Sequence, residues 1–234
     1  MKKVIFTLGY TMFDHNIDGM FELLKKLGVT HLIDVRSVPR SRFYPEYNPN
    51  SLQEAGKRHG LPYMWMSEIG AKSSSEEDVF SPAKVILDED IFPIAKTKRP
   101  EKTPLAADEQ IVDFEMKIHS PLFVSGLQRI ESAYEKGFTL ALMCSEKNPI
   151  DCHRYFLISR ALDELYGEWL EVRHIVSDNT GSLTLVNNDT VKGMLKNDVL
   201  SRCEVKKIMA RGGIIDVDDF CMRYWNILHG WKSI

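Results

Sequence analysis

Hydrophobic positions in the first 35 residues follow two alternating patterns. Lys3–Thr7 is a short apolar run that ends in a turn, as a first strand would. From about Asn16, apolar residues recur with the 3.6-residue period of an amphipathic helix, and Gly28 stands where a helix C-cap is expected. Val29–Val35 is a second apolar run, typical of a buried strand. Together these patterns predict a βαβ unit whose two strands are parallel neighbours or near-neighbours.

The same alternation returns in the second half of the chain. Two helices are predicted over Asp108–His119 and from Leu122 to Tyr134, the second ended by a glycine. A buried strand over Phe138–Cys144, a helix over Cys152–Tyr166 and a strand over Leu170–Val176 follow. This order predicts an α/β fold with a doubly wound, mostly parallel sheet and flanking helices.

The remaining segments are less regular. Residues 37–67 are rich in proline, with a short helix predicted over Asn50–His59 and a possible strand over Tyr63–Met66. Residues 71–110 bury little apolar area and are interpreted as an insertion or lid. A turn signal after Leu170–Val176 predicts an antiparallel hairpin with Ser182–Val186. The last helices are predicted over Val191–Leu200, Cys203–Ala210 and Val217–His229. We therefore expect a core domain over residues 1–186 and a helical C-terminal extension, residues 187–234, packed on it.

Composition narrows the class of protein. The chain has 234 residues, 44% of them hydrophobic and 27% charged, which suits one large globular domain. Its net charge of −3 argues against a polycation that coats nucleic acid, although a local basic patch remains compatible with it. No apolar run approaches the about 20 residues that span a bilayer, and MKKVIFTLGY is interpreted as a strand rather than a secretion signal. Four cysteines are too few for a disulfide scaffold of this size, so we expect a reducing, cytoplasmic compartment.

Two loops carry side chains suited to catalysis or ligand binding. The first, called the arginine loop below, is Asp34–Arg42 (DVRSVPRSR). Asp34 and Arg36 share a face of their strand, and a carboxylate and a guanidinium at a buried strand end each need a partner. Arg36, Arg40 and Arg42 provide donors that suit the bidentate binding of phosphate or carboxylate. The alternative is that Asp34 and Arg36 pair with each other or with a loop and only hold the turn in place.

The second loop, called the cysteine loop below, is Cys144–Arg154 (CSEKNPIDCHR). We predict that Asp151 caps a helix whose first turn holds Cys152, His153 and Arg154. The positive end of the helix dipole there favours anions and thiolates, so we expect a lowered thiol pKa and fast labelling at Cys152. In this interpretation His153 is a general acid or base and Arg154 binds an anion.

Other candidates complete the predicted site. Glu146 stands near the strand end, where ligands bind in open α/β sheets. The candidate catalytic residues are therefore Glu146, Cys152 and His153, and the candidate ligand-binding residues are Tyr10, Asp34, Arg36, Arg40, Arg42, Tyr44 and Arg154. The alternative for both loop cysteines is that they are small buried hydrophobic residues. No cofactor is expected, and no metal site, since Cys144, Cys152 and His153 lack zinc-finger spacing.

The segments TLGY, DVRSVPRSR, the aromatic-Pro-aromatic-Asn stretch and CSE…CHR resemble the bacterial and archaeal family called domain of unknown function 488. The resemblance runs from about residue 3 to 176, with departures at residues 71–110 and after about residue 187. It implies a fold and a site without a settled activity. The positions it marks are Gly9, Tyr10, Asp34, Arg36, Pro39, Ser41, Arg42, Cys144, Glu146, Cys152, His153 and Arg154.

Three functional hypotheses follow. In the first, the arginines of a polar cleft bind an anionic small molecule or a nucleic-acid fragment, and nearby aromatic rings stack on a base. Those rings belong to Tyr10, Phe43, Tyr44, Tyr47, Tyr63 and Trp65. The second is a cysteine-dependent phosphatase or sulfurtransferase, similar in element order to rhodaneses, with Cys144 as the nucleophile. The third is a noncatalytic interaction module. The sequence predicts neither the reaction nor the oligomeric state. Because both loops leave one sheet edge, we expect Arg36 or Arg42 to lie within direct or one-water reach of the start of the Cys152–Tyr166 helix.

Overall fold

A computed structural model describes residues 2–72, 79–80, 111–112, 114–178 and 180–202 of the chain. Further along the chain, it also describes residues 206, 209–210, 212, 216–218 and 220–221. Contacts divide the chain into two compact units. The first unit comprises Met1–Ala71 with Ile118–Val191, and the second comprises Lys72–Lys117 with Lys192–Ile234. Both candidate loops belong to the first unit.

The described strands are β1 (Lys3–Gly9), β2 (His31–Asp34), β3 (Tyr63–Trp65), β4 (Val79–Phe80), β5 (Ile111–Val112), β6 (Leu140–Cys144), β7 (Leu170–Ser177) and β8 (Leu183–Asn187). Six of them form one sheet in the order β3-β2-β6-β1-β7-β8. The first five strands in that order are parallel, and β8 pairs antiparallel with β7. The protein therefore has the predicted α/β fold with a mostly parallel sheet.

The described helices are α1 (Ile17–Lys26), α2 (Pro49–His59), α3 (Phe114–Lys117), α4 (Pro121–Glu135), α5 (Arg160–Tyr166) and α6 (Asn188–Ser201). The Asn16 side chain caps α1 by accepting a hydrogen bond from the Gly19 backbone N–H at 2.8 Å. Beyond the other end of α1, Gly28 takes a left-handed backbone conformation with φ of +75°, as expected for a residue that ends a helix.

The order of the strands explains where the site forms. Strand β6 lies between β1 and β2, so the two strands of the first βαβ unit are near-neighbours rather than neighbours. The chain leaves β1 toward β2 but leaves the adjacent β6 toward β7, in opposite directions across the sheet. Right-handed crossovers place the connecting helices on opposite faces, which makes the carboxyl ends of β1 and β6 a topological switch point.

Alternate residues of the strands divide the core between those faces. Leu8 of β1 and Met143 of β6 belong to the hydrophobic cluster that also contains residues of α1 and α2. Asp34 pairs in register with Met143 and so shares that face. Gly9 and Cys144 pair in register on the opposite face. The two candidate loops therefore start at one sheet edge but send their first polar side chains to different faces.

In the second unit, β4 pairs antiparallel with β5, and α3 follows. Asp218 forms ion pairs with Lys192 at 2.6 Å and Lys196 at 2.5 Å. No helix among the described residues is both long and apolar enough to cross a membrane.

Most predicted elements of the first unit are confirmed, including the hairpin of β7 with β8. The helix predicted over Asp108–His119 is wrong at Ile111–Val112, which form β5; both residues are β-branched and favour strands. The helix predicted at Val191 begins earlier, at Asn188. Most of the predicted insertion, residues 71–110, and most of the last two predicted helices lie outside the described residues.

Candidate functional site

The arginine loop is anchored by a buried ion pair at the end of β2. Arg36 donates from Nε to Asp34 Oδ1 at 2.8 Å and from Nη2 to Asp34 Oδ2 at 2.5 Å. Tyr63 donates from its hydroxyl to Asp34 Oδ2 at 2.9 Å. Both members of the pair are almost fully buried, so each charge depends on the other for compensation. The alternative in which Asp34 and Arg36 pair with each other is thus the observed geometry.

The Arg36 guanidinium is also enclosed by the residues around it. Its Nη2 donates to the Tyr47 carbonyl at 2.8 Å, and its plane lies over the Tyr10 ring at 5.0 Å from the centroid. Burial acts to lower the pKa of Arg36, but the hydrogen bonds and charge of Asp34 outweigh it and raise that pKa. Tyr10 stacks on Tyr47 with ring centroids 4.6 Å apart. The predicted ligand residues Tyr10, Asp34 and Arg36 are therefore brought together, but as the buried base of the loop.

The tip of the same loop is exposed. Ser41 donates its backbone N–H to Asn48 Oδ1 at 2.6 Å and accepts at Oγ from the Tyr44 backbone N–H at 3.0 Å. These bonds fix the curve of the backbone. The side chains of Arg40 and Arg42 point to solvent and make no hydrogen bond or ion pair with any residue that the structure describes. Neither guanidinium is engaged by the part of the chain that the structure describes.

Exposed apolar side chains accompany the two arginines. The Phe43 ring is 80% exposed, and Trp65, at the end of β3, is 45% exposed. Trp65 donates from Nε1 to the Arg36 carbonyl at 2.8 Å, so its indole lies beside the start of the loop. We call Arg40, Arg42, Phe43 and Trp65 the loop-tip surface.

The cysteine loop turns differently from the prediction. After β6, Pro149–Asp151 form one 3₁₀ turn, and Asn148 caps it by accepting from the Ile150 N–H at 3.3 Å. Cys152 is then extended, with φ of −135°, and Arg154–Ser159 form a π-helix that leads into α5. The prediction that Asp151 caps a helix with Cys152 in its first turn is wrong, because Pro149 starts the separate turn that ends at Asp151.

Arg154 holds the cysteine loop from inside the protein. It is fully buried, donates from Nη1 to the Glu146 carbonyl, and donates from Nη2 to the Lys147 carbonyl at 3.1 Å. A side chain at Gly9 would overlap the Glu146 carbonyl oxygen, so this close approach requires glycine at the end of β1. Arg154 therefore serves the loop's own backbone, and its predicted role as an anion clamp stays a prediction.

Two thiols and an imidazole converge inside the loop. Cys144 Sγ lies 3.6 Å and Cys152 Sγ 3.9 Å from His153 Nδ1, and all three residues are buried. Cys144 Sγ also donates to Glu146 Oε2 at 3.4 Å. Burial, assisted by the neighbouring Cys144, raises the pKa of the Cys152 thiol well above its ordinary value. The expected lowering of that pKa is wrong, because Cys152 lies in a buried, extended segment rather than at a helix start.

The two loops meet through a backbone carbonyl. His153 Nε2 lies 3.1 Å from the Val35 oxygen, next to Arg36 in the chain. We expected Arg36 to contact the start of the Cys152–Tyr166 helix. Its side chain instead turns to the α1–α2 face and donates to Asp34 and to the Tyr47 carbonyl. The guanidinium of Arg42 is exposed at the loop tip. The loops are thus joined, but by a bond other than the one expected.

Sequence reasoning missed a buried chain of hydrogen bonds that leads from β1 and β7 to the backbone of Arg154. Thr7 Oγ1 lies 2.8 Å from His174 Nδ1, and His174 Nε2 lies 2.8 Å from Asn188 Oδ1. Asn188 donates to the Ser159 carbonyl at 3.2 Å, and the Ser159 hydroxyl donates to the Arg154 carbonyl at 2.6 Å. Burial lowers the pKa of His174 to about 4. A histidine within an apolar strand pattern was the one available signal.

A pocket of about 460 Å³ lies elsewhere in the first unit. Its walls include His31, Ile33, Met64, Arg129 and Phe138. None of the residues proposed from the sequence lines it, so the candidate site is a surface at the sheet edge rather than this pocket.

The fold and the two loops define an α/β protein with a polar site at the carboxyl edge of a parallel sheet. The family model of domain of unknown function DUF488 matches residues 16–89 and 93–161, which is more than half of the chain. The chain belongs to this family. The match includes both loops and all of residues 71–110 except 90–92, although we had expected that segment to depart from the family. No curated protein and no solved structure matches the chain.

Proposed function

We propose that the chain binds a nucleotide unit, free or within a single-stranded nucleic acid, at the loop-tip surface. One observation carries the proposal: Arg42 and the 80%-exposed ring of Phe43 are consecutive residues of a loop whose base is fixed. A base stacks on an exposed aromatic ring, and an adjacent guanidinium binds the phosphate of the same unit.

The composition of the loop-tip surface supports the proposal. Phe43 and Trp65 offer two partly or largely exposed rings, and Arg40 and Arg42, just before Phe43 in the chain, bring positive charge to the same loop. Exposed rings lose apolar contact with water when they stack. A chain whose net charge is −3 repels polyanions overall, so such a ligand needs a local pair of exposed arginines.

The buried residues of the arginine loop have a supporting role in this proposal. The Asp34–Arg36 pair and the stacked Tyr10 fix the loop base, while Ser41 and Asn48 fix its tip. A loop that is already ordered loses little conformational entropy on binding, which favours affinity. Asp34 therefore acts through Arg36 rather than by reading the edge of a base.

The geometry favours this proposal over a sulfurtransferase or phosphatase. Cys144 is only 3% exposed, and a Glu146 carboxylate oxygen lies 3.4 Å from its sulfur. A carboxylate in that position repels both a thiolate and an anionic substrate. Access by such a substrate would also require the loop held by Arg154 to open.

The test is fluorescence anisotropy with a labelled single-stranded oligonucleotide of about ten nucleotides, within the usual range of site sizes. Arg42→Ala should weaken binding by about 1.5–3 kcal/mol and reduce the salt dependence by roughly one phosphate contact. Phe43→Ala should weaken it by about 1–3 kcal/mol and leave the salt dependence unchanged.

Matched controls lie at the opposite edge of the sheet. Lys25 is an exposed cation in the last turn of α1, and Phe138 is a 37%-exposed ring just before β6. Lys25→Ala and Phe138→Ala should bind the oligonucleotide as the unchanged protein does. If the controls weaken binding as much as the loop variants, or if no variant changes it, the proposal is wrong.

A further inference from the structure

We propose that Cys144, Cys152 and His153 form a zinc site, with Glu146 as the fourth ligand. Two sulfurs and one imidazole nitrogen lie within 4.8 Å of one another in the buried part of the cysteine loop. Thiolate and imidazole together are the ligand types that zinc prefers. The proposal is independent of the loop-tip surface and of nucleotide binding.

The distances between these atoms fit a tetrahedral ion. With about 2.3 Å for a zinc–sulfur bond and about 2.0–2.1 Å for zinc–nitrogen, two ligands of one ion are separated by about 3.6 Å. The observed separations from His153 Nδ1 are 3.6 Å to Cys144 Sγ and 3.9 Å to Cys152 Sγ. Only small side-chain movements are needed to place an ion among them.

The orientation of His153 is already that of a metal ligand. The Val35 carbonyl, 3.1 Å from Nε2, can only accept a hydrogen bond, so neutral His153 carries its proton on Nε2. Nδ1 then presents its lone pair toward the two sulfurs. A backbone carbonyl that receives the second N–H is the usual partner of a zinc-binding histidine, since it fixes both tautomer and ring.

Charge balance also favours the site. Two thiolates, one neutral imidazole and Zn²⁺ carry no net charge. The buried site would therefore not pay the desolvation cost of an uncompensated charge. Glu146 Oε2 lies 3.4 Å from Cys144 Sγ but outside the group of ligand atoms within 4.8 Å of one another, so its carboxylate must turn toward the other two ligands to become the fourth. Arg154 binds the backbone carbonyl of Glu146, so a positive charge lies in the same loop as the added carboxylate.

The usual zinc-finger spacing is not required here. Cys144 ends β6, whereas Cys152 and His153 follow the 3₁₀ turn that folds back over that strand end. The fold, rather than a short repeat, brings the ligands together. The absence of a metal was expected from spacing alone, and spacing does not bear on a site of this kind.

The test uses the full chain, reduced and treated with a chelator, then titrated with Co²⁺ and separately with Zn²⁺. We expect one equivalent of Co²⁺ to bind, with sulfur-to-cobalt charge transfer in the near ultraviolet and the intense visible bands of tetrahedral cobalt. Cys144→Ser, Cys152→Ser and His153→Gln should each lose these bands. Glu146→Gln should keep the sulfur bands but bind about 10- to 100-fold more weakly.

Cys221→Ser is the matched control, because Cys221 is also a buried free cysteine but belongs to the second unit. It should titrate as the unchanged protein does. X-ray absorption spectroscopy of the unchanged zinc-loaded protein reports which elements are bound to zinc. It needs no variant, so it tests the site even if a variant fails to fold. Two sulfur neighbours support the proposal, and a shell of nitrogen and oxygen alone overturns it. Full-strength binding by Glu146→Gln overturns the assignment of the fourth ligand.

Discussion

His153 donates a hydrogen bond from Nε2 to the backbone carbonyl of Val35 at 3.1 Å, and this bond joins the two loops of the site. Val35 directly follows β2, and His153 is the ninth residue after the end of β6. Because β2 and β6 are adjacent parallel strands, their carboxyl ends share one edge, and a single buried side chain spans the gap.

Removing this bond should destabilise the fold even without metal. In chelator-treated protein, His153→Phe leaves the buried Val35 carbonyl without this partner, so unfolding in urea should require about 1–3 kcal/mol less free energy. The control is His119→Phe at an exposed position, which should change stability by no more than about 0.5 kcal/mol. Equal effects at the two positions would show that the His153–Val35 bond contributes nothing specific.

The buried Asp34–Arg36 pair should be far more sensitive than a similar pair on the surface. Asp34→Asn leaves the Arg36 charge buried without compensation, at a cost of about 3–5 kcal/mol in unfolding free energy. Asp18 pairs with Arg58 and His59 at the surface, where solvent screens the charges, so Asp18→Asn should change stability far less. Chemical denaturation of both variants compares the two costs, and a small loss in Asp34→Asn contradicts the anchoring role.

Thiol labelling distinguishes buried ligands from a reactive nucleophile. Cys144 and Cys152 are buried, and the pKa of Cys152 is raised, so iodoacetamide at neutral pH should modify neither in the folded, reduced protein. Both should react readily after unfolding in urea, as mass spectrometry of the digested protein would report. Rapid modification of folded Cys144 would instead support the sulfurtransferase hypothesis.

His174 should make stability depend on acid pH. Its pKa is lowered by burial to about 4, below the ordinary value of 6.5, so the unfolded chain binds its proton first. The contribution of neutral His174 is complete above about pH 6.5 and is lost as the pH falls toward 4, by about 1.4 kcal/mol per pH unit.

Urea unfolding at several pH values across that window measures the slope. His174→Asn should be less stable at neutral pH, yet should lose less stability between neutral pH and about pH 4. The exposed His119→Gln variant should retain the full pH dependence. A slope unchanged in His174→Asn would assign the acid sensitivity to other groups.

Much of the fold is predictable because its strands are buried on both faces. Such strands are continuous apolar runs, and the helices between them carry a clear 3.6-residue period with terminal signals such as Asn16 and Gly28. The insertion of β6 between β1 and β2 is not readable in the same way. It depends on pairing between segments more than 100 residues apart in the chain, and local sequence patterns carry no information on such pairing.

The two loops were placed correctly at one sheet edge, but the directions of their side chains were not. Loop motifs after β2 and β6 indicate the carboxyl edge of the sheet, whereas the direction of each side chain depends on tertiary contacts. Arg154 turns inward because Gly9 lets the Glu146 carbonyl approach closely, and no local pattern reports that contact. The meeting of Cys144 with Cys152 and His153 likewise depends on the turn at Pro149–Asp151.

Ultraviolet cross-linking of a single-stranded oligonucleotide, followed by mass spectrometry, identifies which residues contact a nucleotide at the loop-tip surface. Aromatic side chains that stack on bases should form the cross-links. We expect cross-linked nucleotides on Phe43 or Trp65, and we expect them to be lost when Arg40 and Arg42 are both replaced by alanine. Cross-links confined to other exposed aromatic residues, such as Phe138 at the opposite sheet edge, would contradict nucleotide binding at this surface.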